Sequence, residues 1–136
     1  MSMAKQITLL DSVYRASGVE QWRRLGKGLP APVFPALATM FGLSATLFAT
    51  CLDLEARTLR NRTALLTPSE AERSFRAYRV FRKATEVLGG EDEARQWLGS
   101  PKTALGGKKP IELLSRDVGA EEVHNLLGAI EEGVYT

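Results

Sequence analysis

Three features of this 136-residue sequence predict an all-α fold. Phe34, Leu37, Ala38 and Phe41 recur at i, i+3, i+4 and i+7, the spacing of one helix face. Thr67-Pro68-Ser69-Glu70 combines a capping box with proline at the first helical position. No alternation of apolar and polar residues lasts more than a few positions, so strands have no support.

Each element follows from local signals. The first 30 residues suggest small helices over Ile7 to Tyr14 and Val19 to Leu25. The helix from residue 33 stops at Gly42, and Ser44 caps the next one, which is expected to turn Leu47, Phe48, Cys51 and Leu52 inward and to end at Asp53-Leu54. A polar helix follows from Glu55 to about Arg62, with Leu59 pointing back. The capping box opens a helix reaching Leu88, with Phe75, Tyr78, Phe81, Ala84 and Leu88 on its apolar face. Gly89-Gly90 ends it, and Glu91, Asp92 and Glu93 favour the start of the next helix, whose buried end is Trp97-Leu98. Gly99 to Pro110 is a loop, Pro110 opens a short helix through Leu114, and a last helix from about Ala120 carries Val123, Leu126, Leu127 and Ile130 before Gly133.

Composition bounds the function. Hydrophobic residues at 44% and charged residues at 25% are ordinary for a folded domain, which excludes disordered and low-complexity classes. One cysteine, Cys51, and one histidine, His124, supply neither a disulfide nor a structural zinc site, so no cofactor or metal is expected. The start lacks the apolar core of a signal peptide, which places the chain in the cytoplasm and makes the sequon Asn61-Arg62-Thr63 accidental. No charge occurs from Gly28 to Leu52, but Pro30, Pro32, Pro35 and Gly42 break that run, so it reads as two short buried helices rather than a membrane span.

The net charge is +2, unevenly spread. Residues 1–66 hold eight basic and four acidic side chains, while residues 67–136 hold ten and twelve. The front half is the expected partner of an anion.

The sharpest constellation is a helix-turn-helix. Ala49, Asp53, Leu54 and Leu59 fall at the fifth, ninth, tenth and fifteenth places of such a unit, where a small residue, a tight turn and two apolar contacts are needed. Asp53 stands where glycine is usual, and aspartate tolerates the left-handed backbone better than most residues. Arg57, Arg60, Asn61 and Arg62 then lie on the reading helix, with Thr58 placed for phosphate. A helical hairpin with a solvated basic face is the plain alternative. Arg73, Arg76, Arg79, Arg82 and Lys83 form a basic row on the long helix, either a solvated face or a binding surface. Gly106-Gly107-Lys108-Lys109 fails the Walker spacing, and no orienting partner makes Cys51 and His124 a nucleophile and base. Catalysis is not expected.

The second half resembles a known family. Trp97-Leu98, Ala104-Leu105-Gly106-Gly107, Pro110-Ile111-Glu112-Leu113-Leu114, Gly119-Ala120 with Val123, and Ile130-Glu131-Glu132-Gly133-Val134-Tyr135 resemble the toxin-binding domain of the Xre/MbcA/ParS antitoxins. Gly28-Leu29-Pro30, Phe41-Gly42-Leu43-Ser44 and Arg57-Thr58-Leu59 resemble that family's Xre-like helix-turn-helix segment. The resemblance spans roughly residues 20–136. It implies a type II antitoxin that neutralises a RES-domain toxin consuming NAD, represses its own operon by binding operator DNA, and forms a homodimer. A transcription regulator without a toxin, or a protein-binding module with a degenerate helix-turn-helix, is the rival reading.

The organisation expected is a DNA-binding segment over 1–66, a connecting helix over 67–88 and a toxin-binding domain over 89–136. Trp97, Leu105, Gly106, Gly107, Gly133, Val134, Tyr135 and Thr136 are the expected toxin contacts. In that reading the tail blocks the toxin's active site, with Tyr135 as its anchor and the Thr136 carboxylate pairing with a cation.

Overall fold

A computed structural model of the chain describes residues 2–133. All regular structure among them is helical, with two isolated β-bridges and no strand. Contacts divide the chain into two compact units, Met1–Phe75 and Arg76–Thr136.

The first unit is built from α1 (Met3–Tyr14), α2 (Gly18–Gly26), α3 (Val33–Met40), α4 (Ala45–Cys51), α5 (Ala56–Arg60) and the first part of α6 (Pro68–Leu88). Ser2, Ser17 and Ser44 cap α1, α2 and α4, each accepting a backbone N–H three residues on. The Ser2 cap starts α1 four residues earlier than apolar spacing suggests, and the Ser17 cap starts α2 one residue earlier.

α3 carries six buried residues and packs against α1 and α4. It ends at Gly42, whose φ of 75° lets the Leu43 N–H reach back to the Ala38 carbonyl at 3.0 Å. The result is an 88° bend between α3 and α4. Among the described residues no single helix is long and apolar enough to cross a membrane. Across the bend, Phe48 packs against Phe34 and Phe41 with ring centroids 5.2 and 4.8 Å apart. Such pairs add about 0.5–1.5 kcal/mol each beyond the area they bury.

Leu47 departs from its expected inward position, since it is 50% exposed. α4 is only seven residues long, and its inward arc is taken by Phe48, Ala49 and Leu52. α5 is also shorter than expected, ending at Arg60 with Asn61 as its cap.

A backbone bridge closes this unit. Leu66 N–H donates to the Leu29 carbonyl at 2.8 Å, and Ala31 N–H to the Ala64 carbonyl at 3.0 Å. Gly28 makes the approach possible: its φ is 85°, and a Cβ there would lie 2.4 Å from the Leu66 carbonyl oxygen.

The second unit comprises the rest of α6, α7 (Glu91–Leu98), two 3₁₀ turns (Thr103–Leu105 and Pro110–Leu113) and α8 (Asp117–Glu131). Tyr78, Phe81, Ala84, Leu98, Leu114, Val123 and Leu127 form its core, together with Ala77 and Val80. α8 begins at Asp117, one turn before Ala120. Gly119 sits so close to the preceding turn that a Cβ would fall 2.0 Å from the Leu113 carbonyl oxygen.

Candidate functional site

In the first unit the helix-turn-helix residues occupy α4, the turn after it and α5. Ala49 is fully buried, as a close helix crossing requires. Asp53 adopts φ 57°, the left-handed conformation that the tight turn needs, and is the one non-glycine residue described with positive φ. Leu54 N–H donates to the Ala49 carbonyl at 2.8 Å, tying the turn to α4. Arg73 holds the turn from α6, its guanidinium donating to the Asp53 carbonyl at 2.6 Å and the Leu52 carbonyl at 3.2 Å.

The expected DNA contacts separate by environment. Arg57, Arg60 and Asn61 are exposed on α5 and its cap. Thr58 is half-buried, and its hydroxyl donates to Glu55 Oε1 at 2.8 Å. Arg62 is bound instead by Glu70, with Nη2 and Nε each 2.9 Å from a carboxylate oxygen.

Glu70 is 7% exposed and also accepts the Thr67 N–H at 2.8 Å, while Thr67 Oγ1 accepts the Glu70 N–H at 3.2 Å. The capping box foreseen from the sequence is therefore formed. Burial pushes the Glu70 carboxyl up, but the bonds from Arg62 and Thr67 outweigh it and hold its pKa below the usual value.

In the second unit Trp97 is half-buried, and the Lys102 ammonium stands 5.0 Å from its ring centroid. Burial lowers the Lys102 pKa. Leu105 is half-buried, and Gly106 and Gly107 are exposed with φ of 67° and 81°. Gly107 N–H donates to the Lys102 carbonyl at 2.9 Å and Lys102 N–H to the Lys108 carbonyl at 3.0 Å, so the loop is closed by its own backbone. Gly133, at φ 78°, is exposed beyond α8. Val134, Tyr135 and Thr136 lie outside the described residues.

The basic row on α6 is largely tied down. Arg73 holds the turn, Arg76 pairs with Asp117 at 2.6 Å, and Lys83 pairs with Glu131 at 2.8 Å. Arg79 is exposed and faces a depression shared with His124. Burial, then Arg79 and Lys83, push the half-buried His124 imidazole below its usual pKa. Sequence reasoning did not find the anchoring role of Arg73, because its partners are backbone carbonyls twenty residues away that no side-chain pattern announces.

Residues 83–133 match the model of the antitoxin Xre/MbcA/ParS C-terminal toxin-binding domain. An antitoxin Xre of Photorhabdus laumondii is 30% identical over 116 residues, covering 82% of this chain and 78% of that protein. An antitoxin Xre of Yersinia enterocolitica is 37% identical over 78 residues, but the chain spans about half (53%) of its length. A Sphingobium protein named Prs ADP-ribosylating antitoxin is 27% identical, covering 91% of this chain and 86% of that protein. With a helix-turn-helix in one unit, the toxin-binding match over α7 and α8, and a relative aligned over most of both chains, this protein belongs to the Xre antitoxin family.

Proposed function

We propose that this protein is a non-enzymatic type II antitoxin of the cytoplasm, which neutralises a RES-domain, NAD-consuming toxin through residues 89–136 and represses its own operon through residues 1–66, with 67–88 connecting the two. The observation that carries the reading is the presence in one chain of a toxin-binding domain match and a left-handed turn at Asp53 followed by exposed Arg57, Arg60 and Asn61. Arginine pairs with guanine and asparagine with adenine in the major groove, so these three are the base-reading set. Thr58 and Arg62 serve at the margin of that surface, Arg62 from its pair with Glu70.

A single unit covers one half-site, and two-fold operators require two units about one helical turn apart. The cleft bordered by Ala31, Pro32, Pro35, Ala45, Ala56 and Leu59 leaves apolar surface uncovered, which supports a homodimer. Toxin contacts are assigned to Trp97, Leu105, Gly106, Gly107 and Gly133, with the tail residues Val134, Tyr135 and Thr136 entering the toxin's site.

Expression from the native operon followed by co-purification tests the reading. A co-purified RES-domain protein whose NAD consumption is suppressed, together with a salt-sensitive shift of upstream DNA, is expected. A DNA shift without any co-purified toxin would leave a helix-turn-helix regulator lacking a toxin partner. Deleting residues 133–136 is expected to release NAD consumption while leaving the fold and the DNA shift intact; full inhibition by the truncated chain would move occlusion to the helical body.

A further inference from the structure

The reading helix is not the sole cationic surface of the first unit. α2 ends in Arg23, Arg24 and Gly26, Lys27 follows, and Gly28 turns the chain into Leu29 and Pro30. Arg23, Arg24 and Lys27 line a depression completed by Leu9, Gly28, Leu29 and Pro30, and no carboxylate lines it. Glu20 accepts a hydrogen bond from Arg23, and its charge also acts on Arg24 and Lys27. Arg24 is steadied by Ser12, donating to its Oγ at 3.1 Å, and Lys27 is exposed. The carbonyl end of α2 favours cations in its last turn, which accounts for their presence there. It does not require three of them around one apolar floor.

Position gives the cluster its meaning. The Leu29–Ala31 backbone is hydrogen-bonded to Ala64 and Leu66, just beyond α5. The adjoining cleft runs on from Ala31 and Pro32 to Arg60, Arg62 and Thr63. Cations of α2 and α5 thus flank the same short segment, with Pro30 and Ala31 between them.

We infer that Arg24 and Lys27 bind backbone phosphates of the duplex that α5 reads, extending the footprint beyond the helix-turn-helix. The inference rests on the operator-binding reading. Phosphate contacts fix register and add affinity without reading sequence, so their signature differs from that of Arg57 and Arg60. Each neutralised phosphate contributes about 0.9 to the slope of log affinity against log salt.

The test titrates the full chain with its upstream duplex and with an unrelated duplex across salt concentrations. Arg24→Gln/Lys27→Gln is expected to weaken both duplexes by the same factor and to lower the slope by about 2, and Lys27→Gln alone by about 1. The single variant changes one exposed side chain and guards against misfolding of the double. Arg116→Gln, an exposed cation removed from the other unit, is expected to leave the slope unchanged.

Wild-type binding with an unaltered slope in Lys27→Gln and in the folded double variant would overturn the inference and leave operator binding standing. Failure of the wild type to bind either duplex would overturn operator binding and the inference together. Inorganic phosphate shifting the Lys27 resonances while both duplexes bind the variants normally would make this a free-anion site and overturn the duplex assignment.

Discussion

Arg73 closes the turn that Asp53 opens. Its Nη1 donates at 2.6 Å to the carbonyl of Asp53, the residue whose φ of 57° makes the turn. A cation on α6 thereby fixes the angle at which α5 leaves the turn. Replacing Arg73 with Met keeps the aliphatic stem and removes the bonds; hydrogen bonds to a charged donor at a partly exposed site put the cost at about 1–2 kcal/mol. Urea unfolding measures the loss, and operator affinity is expected to fall further than that of a variant equally destabilised elsewhere.

Asp53 itself gives a graded test of backbone conformation. Asp53→Gly is expected to retain stability and DNA binding, since glycine takes positive φ freely. Asp53→Val adds a β-branched side chain at the same φ and is expected to cost about 1–2 kcal/mol. Equal melting temperatures for the two variants would show that the turn does not need the left-handed conformation.

At the start of α6, Thr67→Ala removes the hydroxyl that accepts the Glu70 N–H, and the expected cost is about 1 kcal/mol. Glu70 adds an acid-sensitive component. Its folded pKa lies below the unfolded value near 4.5, so its contribution is complete above that pH and is lost as pH falls through the folded pKa. Glu70→Gln is expected to flatten the stability profile below about pH 4.5 while retaining an oxygen for the Thr67 N–H.

His124 acts in a higher window. Its folded pKa is pushed below 6.5 by burial and by Arg79 and Lys83, with Asp117 and Glu121 on its own helix. Below pH 6.5 the unfolded chain therefore binds the proton more readily than the folded one. Stability of the second unit is full above that pH and declines as pH falls toward the folded value. Urea melts between about pH 7.5 and about pH 5.5 are expected to show this decline in the wild type and a shallower one in His124→Gln.

Gly119 is expected to be intolerant of any side chain. A Cβ 2.0 Å from the Leu113 carbonyl oxygen forces α8 away from the preceding 3₁₀ turn, and overpacking of this kind costs about 1–3 kcal/mol. Gly119→Ala should lower the melting temperature, whereas Gly128→Ala, where nothing lies within 4 Å of the added Cβ, should not. Comparable melting temperatures for the two would show that α8 yields without strain.

What the sequence determined by itself was local: the Ser44 cap, the Gly42 stop, the Thr67–Glu70 capping box and the bounds of α6 all rest on bonds within a few residues of chain. The left-handed tolerance of Asp53 was legible for the same reason. The tertiary structure alone decided which side chains of those elements are left for function. Leu47 reads as apolar and inward, yet a seven-residue helix has too narrow a buried arc to cover it. Arg62 reads as part of the basic set, yet the packing of α6 brings a buried carboxylate to it, which Arg62 and the Thr67 N–H hold together. Arg73 reads as one cation of a row, yet it meets carbonyls twenty residues away. Spacing along the chain encodes which face a residue occupies, whereas the partner on that face is chosen by where distant segments arrive.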